Sequence, residues 1–350
     1  MAMGHIEVTK RAIEFGQPAY VPLETIDVPG LYDDFGRLAR SSVEFIEGTE
    51  DCDVIQANFS YVYSNVRSDP EGNVLRTDEW HCTQMVPHAS YNYLVIEHPL
   101  ADWASLGSYR WPSSSAADPY FLQMKEGFDL YPDRFKVGYL DPGPFELAQY
   151  ILGFENFLVS IKLDIDRIKY VFGKIIEYQM GIANKWKEVG AHMVNVYDIL
   201  ASRDSLLINP DLWREHFKPF YKKFFHHVHS LGMYTGYGID GNALAIIPDL
   251  KEVGLDVLEY REPVAIGIDT LAKVCGGKMC CKCSIDMQKT LREGTPDEIW
   301  RQAEELVNSL GSRNGGFIAQ VYSWPVLRIP EENIKASVQA FNYYRKRIKY

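Results

Sequence analysis

The stretch GYGIDGN, Gly236 to Asn242, sets an acid at the tip of a glycine-spaced run. In an extended chain Gly236, Gly238 and Asp240 fall on one face, with Thr235, Tyr237 and Ile239 on the other. Glycines in a strand leave room for close approach by a ligand, and an acid at the tip beside that room has the look of a site. The structural alternative is a tight strand-to-helix turn capped by Asp240. Polar groups also end other strand-like runs: Glu24, Asn58, Asp141, Tyr197-Asp198, Glu259-Tyr260-Arg261-Glu262, Cys283-Ser284-Asp286 and Tyr322-Ser323-Trp324. Any one of them could cap a helix or pair with Arg203 or Arg261. As a group they are acidic and rich in tyrosine, as a functional cleft would be.

Two other clusters invite a metal reading. KMCCKCSIDM, Lys278 to Met287, holds Cys280, Cys281 and Cys283 but lacks a second CxxC-type half, so it is no self-contained zinc module. Read as a strand, it puts Met279, Cys281 and Cys283 on one face and Cys280 and Lys282 on the other. Cys280 and Cys281 then serve as small buried hydrophobes. Cys283 lies near the strand's C-terminal end; a bound metal would draw on Cys283 and a carboxylate such as Asp240. In HHVH (226–229), His226 and His229 share a helix face, but no third ligand is spaced to complete a tetrahedral set. GxSxG, P-loop, GxGxxG and HExxH motifs are absent.

The elements that must hold these groups alternate. Short β-branched or aromatic runs occur at 21–24, 54–59, 135–140, 192–197, 234–239, 257–260, 278–284 and 317–322, with segments of helical period between them from about 135 onward. Asn209-Pro210, the capping box Thr295-Pro296-Asp297-Glu298, and Pro330 mark helix starts. Eight strands with helices between them predict a single (β/α)8 TIM barrel over 1–350, its active site built by loops at the C-terminal strand ends. A doubly wound sheet would advertise a glycine-rich phosphate loop after its first strand. Residues 60–134, between strands two and three, are too long for a crossover. They are expected to be an insertion near the mouth, with a β-hairpin around DPEGN and a helix from Asp118-Pro119.

Composition narrows the function classes. The 350 residues are 46% hydrophobic and 24% charged, enough to bury a large core. A net charge of −11 argues against nucleic acid. No run suits a membrane span or secretory signal, and six cysteines without a disulfide pattern point to the cytoplasm. A homo-oligomer is compatible with all of this.

Several motifs resemble the uroporphyrinogen decarboxylase-like superfamily. DILASRDSLLINPDLWREHFKPFYKKFFHHVHSLG is similar to its Asp-led loop and following helices. GNALAIIPDLKEVGLDVLEY resembles its strand-five to strand-six passage, GGKMCCKCSIDMQKTLREGTPDEI its G-x-x-G-x-I-D segment, and GGFIAQVYSWPVLRIPEENIKASVQAF its last strand and helix. DEWHC with EHPLADWASLGSYRWP looks like the DEWG…HPL…WP pattern of the corrinoid methyltransferase branch. The resemblance implies a (β/α)8 barrel with the site in its mouth. The chain departs from true decarboxylases, having VPLETIDVPGLYDDFGR in place of the arginine-rich R-Q-A-G-R-Y motif. It departs also from the thiol-methylating branch, whose zinc ligands H-x-C after strand five match Gly238 and Asp240 here; the remaining cysteine matches a site near Tyr322 or Ser323. Zinc thus lacks its usual family ligands.

What the resemblance then implies is an O-demethylase: a methyltransferase moving methyl from a methoxylated, aromatic donor to cob(I)alamin. The chain lacks a DxHxxG cobalamin signature, so the corrinoid comes on a separate corrinoid protein. The assigned roles are Asp240 or Tyr197 as proton donor, with Asp198 and Glu259 (and also His81) tuning it or positioning the oxygen. Trp80, His81, Tyr237, Tyr322 and Trp324 are assigned to hold the substrate. A porphyrinogen-type or small-acid decarboxylase, and a methylcobalamin:thiol methyltransferase, are the alternatives.

Overall fold

The computed structural model describes residues 3–27, 46–59, 61–88, 93–323 and 327–349. Eight parallel strands close into a barrel: β1 (Leu23–Asp27), β2 (Val54–Phe59), β3 (Phe135–Leu140), β4 (Met193–Asp198), β5 (Tyr234–Ile239), β6 (Val257–Tyr260), β7 (Cys280–Ser284) and β8 (Phe317–Ser323). Neighbours pair in chain order, and β1 closes the ring on β8 with Glu24 beside Gln320. The (β/α)8 expectation holds.

Helix starts follow the sequence signals. The Thr295 hydroxyl accepts from the Glu298 N–H while the Glu298 carboxylate accepts from the Thr295 N–H, completing the capping box of Pro296–Gly311. The Asn209 side chain accepts from the Asp211 N–H ahead of Pro210–His216.

The segment between β2 and β3 is more elaborate than a hairpin and a helix. Strands Ser64–Ser68 and Val74–Thr77 form the expected hairpin, whose turn is tied by the Asp69 carboxylate accepting from the Asn73 N–H (2.8 Å). Strands Thr83–Val86 and Leu94–Glu97 extend it to a four-stranded antiparallel sheet. Each is only four residues long, too short for alternation to stand out. Helix Asp118–Asp129 follows as read. The sheet docks on helix Pro144–Leu152, which starts just beyond β3, through His98 Nδ1 to the Tyr150 carbonyl (2.7 Å) and the Leu100 N–H to the Ile151 carbonyl (3.0 Å).

Strand parity sorts the barrel's interior into levels. At the N-terminal end Val54, Phe135, Val137, Met193, Val257, Cys280 and Ile318 form an apolar floor, joined from below by Ile13 of helix His5–Ile13. Alternate residues, among them Cys281, Cys283, Tyr237 and Val196, face outward into the layer between strands and helices. That outer layer carries most of the apolar core. It leaves the upper interior to polar groups.

Candidate active site

Directly above the floor sits a buried ionic level. Lys282, fully enclosed, donates to Glu24 (2.9 Å), Glu259 (3.0 Å) and the Tyr139 hydroxyl (2.7 Å). The Tyr139 hydroxyl in turn donates to Glu259, as does the Asn195 amide (3.0 Å), and Gln320 donates to Glu24 (2.7 Å). Burying an ammonium without such partners would be prohibitive. Burial alone would raise the Glu259 pKa, but Lys282 and Arg261 outweigh it and bring Glu259 down to about 2. Burial keeps Glu24 above the ordinary range despite the pull of Lys282. Gly236 is required here, because a Cβ would overlap the Asn195 side chain.

The next level up is the mouth. Arg261 extends the β6 alternation past Glu259, donates from Nε to the Glu259 carboxylate (2.8 Å) and lays its guanidinium 3.8 Å above the Tyr197 ring. Its carbon is 5.4 Å from the centre of Tyr322. These distances suit cation–π stacking. Burial raises the Tyr197 phenol well above its usual pKa; Arg261 opposes that rise and nearby Asp240 adds to it. The Tyr197 hydroxyl and Asp240 Oδ1 are buried with no well-formed hydrogen bond among the described residues. Gly238 makes room for this level, since a Cβ there would run into the Tyr197 ring.

A second acidic group stands at the rim. Asp141, just past β3, is pushed to about 6 by burial, with Arg261 pulling it down and Asp198, Glu259 and Asp240 adding to the rise. Burial and the neighbouring Asp141 carry Glu146 well above the carboxylate range, and the Tyr150 hydroxyl donates to it. Paired acids whose environments keep protons near neutral pH are suited to proton transfer.

Of the residues singled out in the sequence, Tyr197, Asp240, Glu259 and Tyr322 come together. Asp198 does not join them: it points outward, accepting from the N–H groups of Phe145 (3.0 Å) and Glu146 (2.8 Å) and from the hydroxyls of Tyr221 (3.1 Å) and Tyr237 (2.8 Å). It caps helix Pro144–Leu152, and burial, partly offset by those bonds, holds it at about 6. Tyr237 is fully buried beside it, against Tyr221 and Phe225, so it lines no mouth. Trp80 is buried edge-on to Tyr178 of helix Ile165–Glu188. His81 is exposed, its Nε2 3.0 Å from the Arg110 carbonyl. Trp324 lies outside the described residues.

Cys283 faces the helices, enclosed with Cys281, and burial drives its thiol pKa up. It stands across the barrel wall from the interior row that ends in Asp240, and this corrects their pairing as metal ligands. Among the described residues no group of three His, Cys, Asp or Glu is arranged to hold a metal. No described helix is long and apolar enough to cross a membrane.

Sequence reading passed over Lys282, Tyr139, Asn195 and Gln320, and saw Arg261 only as an ion-pair partner. A usable signal existed. Lys282 shares a strand face with Cys280 in an otherwise apolar run, and such a lysine demands carboxylates at interior positions, which Glu24 and Glu259 occupy.

Comparison with known proteins bears on this site. The model of the uroporphyrinogen decarboxylase (URO-D) family matches residues 132–344. A methylcobamide:CoM methyltransferase of Methanosarcina barkeri is 27% identical over 61% of this chain and 59% of its own length. A methylated-thiol–coenzyme M methyltransferase of Methanosarcina mazei is 22% identical over 56% of this chain and 50% of its own. The chain thus spans little more than half of these curated relatives. A methyltransferase structure from Methanosarcina mazei superposes with a TM-score of 0.73 at 20% identity, covering 98% of this chain and 99% of that one.

Proposed function

This chain belongs to the uroporphyrinogen decarboxylase family, and on that premise we propose that it is an O-demethylating methyltransferase, moving methyl from a methoxylated aromatic donor to cob(I)alamin on a separate corrinoid protein. The observation that carries the reading is the mouth itself. Tyr197, Asp240 and Arg261 face one interior above a closed ionic level, and relatives of the chain are methylcobamide methyltransferases.

The reduced corrinoid supplies the nucleophile for the methyl carbon. This chain's residues manage the leaving oxygen, whose developing negative charge needs a proton or a hydrogen-bond donor. Asp240 delivers the proton, and the Tyr197 hydroxyl donates a hydrogen bond to the oxygen. Glu259, ionised by Lys282 and Arg261, does not give up a proton; it fixes Arg261. Tyr322 and Tyr197 form the aromatic slot for the ring. The chain's zinc-matching positions are Gly238, without a side chain, and Asp240, so the residues present do not make a thiolate-binding zinc set.

The test mixes the protein, free cob(I)alamin and guaiacol-type ethers and follows the absorption of methylcobalamin. Its appearance supports the reading; carbon dioxide from a small acid, without methyl transfer, replaces it with a decarboxylase. The relatives' names favour a second reading, methyl transfer to a thiol, which the same assay run from methylcobalamin with coenzyme M would reveal.

A further inference from the structure

We propose that Arg261 is the subsite for the leaving anion, so that the donors this protein accepts are those whose leaving group departs negatively charged. The inference rests on the methyl-transfer reading and adds the selectivity of its site. Arg261 is held from three sides: Glu259 takes its Nε–H at 2.8 Å, the Tyr197 ring lies 3.8 Å below, and Tyr322 stands alongside at 5.4 Å. Among the described residues, its four Nη hydrogens have no hydrogen-bond partner, and the side chain keeps 13% of its surface open. A guanidinium anchored through Nε presents its remaining donors as a fixed planar fork, the geometry that matches an oxyanion.

Chemically, the corrinoid's electron pair forms the new bond to the methyl carbon. The carbon–oxygen bond breaks with its pair left on oxygen, and the phenolate charge falls against the Nη groups of Arg261. The proton of the Asp240 carboxyl then passes to that oxygen, and the phenol leaves. No further reactant is needed. A quaternary ammonium donor would release a neutral amine and bring its own positive charge against Arg261, so it is excluded from the site.

The probe is 4-nitrophenol, whose phenolate absorbs in the visible. Bound to the intact protein, it is expected to ionise at lower pH than when free. Arg261→Gln is expected to abolish that shift and weaken phenolate binding about ten- to hundredfold, leaving affinity for 4-nitroanisole unchanged. Arg261→Lys, which keeps the charge beside Glu259, should retain part of the shift and covers the case in which the glutamine variant does not fold. Wild-type protein that prefers the neutral phenol, a shift that survives Arg261→Gln, or methyl transfer from tetramethylammonium as fast as from an ether would each overturn the assignment. Phenolate selectivity without methyl transfer from any ether would instead remove the methyl-transfer reading.

Discussion

Tyr197 and Asp198 are neighbours with opposite fates, and they show what a single residue step decides. Tyr197 faces the barrel interior under Arg261, while Asp198 faces the helices with four donors on its carboxylate. Asp240→Asn is therefore expected to slow methyl transfer by about 10²–10⁴-fold with little change in donor binding, as read from single-turnover formation of methylcobalamin. Unchanged turnover would end the general-acid role. Asp198→Asn should behave differently, lowering stability by about 1–3 kcal/mol while each folded molecule keeps its rate; thermal and urea denaturation separate the two. At this scale the sequence was legible where a polar residue closed a strand-like run, as for Asp240, Glu259 and Tyr322, and not for Lys282, Tyr139, Asn195 and Gln320 deeper on the interior rows. It misled at Asp198 and Tyr237, because a strand end offers polar groups to helix caps as readily as to a substrate.

Strand β7 carries the clearest lesson about elements. Its cysteines draw the eye, yet the residue that organises the interior is Lys282 between them, joined to β1 and β6 by ion pairs to Glu24 and Glu259. Lys282→Met leaves Glu24 without its cation and Glu259 with Arg261 alone, and should cost about 3–5 kcal/mol, measurable by denaturant unfolding; a loss below 1 kcal/mol would mean that the pairs are not formed. Runs of β-branched and aromatic residues announced the barrel strands, and β2, β3, β5 and β6 have the bounds read from sequence. The inserted sheet was half hidden. Just past its last strand, His98 and Leu100 are tied to the Tyr150 and Ile151 carbonyls of helix Pro144–Leu152, a tertiary contact that local pattern does not contain.

Across the whole molecule, buried acids set the response to pH. Burial raises Asp78 to about 7, Glu79 to about 8, and Asp141 and Asp198 to about 6. In the unfolded chain these groups ionise near 4, so the folded form binds more protons between about pH 4 and 8. Their contribution is complete below about 4 and is lost as pH rises through 6 to 8. Glu259 has the opposite sign, but its loss comes only as pH falls toward about 2. The thermal midpoint should thus be higher at pH 5 than at pH 8, and Glu79→Gln should flatten the difference; a midpoint that climbs with pH would refute the account. The apolar floor sealed by helix His5–Ile13 has a kinetic counterpart. On the proposed reading, a chamber stopped at that end takes both the donor and the corrinoid protein through its mouth, and binding would then be compulsory in order, donor first and product last. Excess corrinoid protein added ahead of the donor should inhibit turnover, and raising the donor concentration should relieve it.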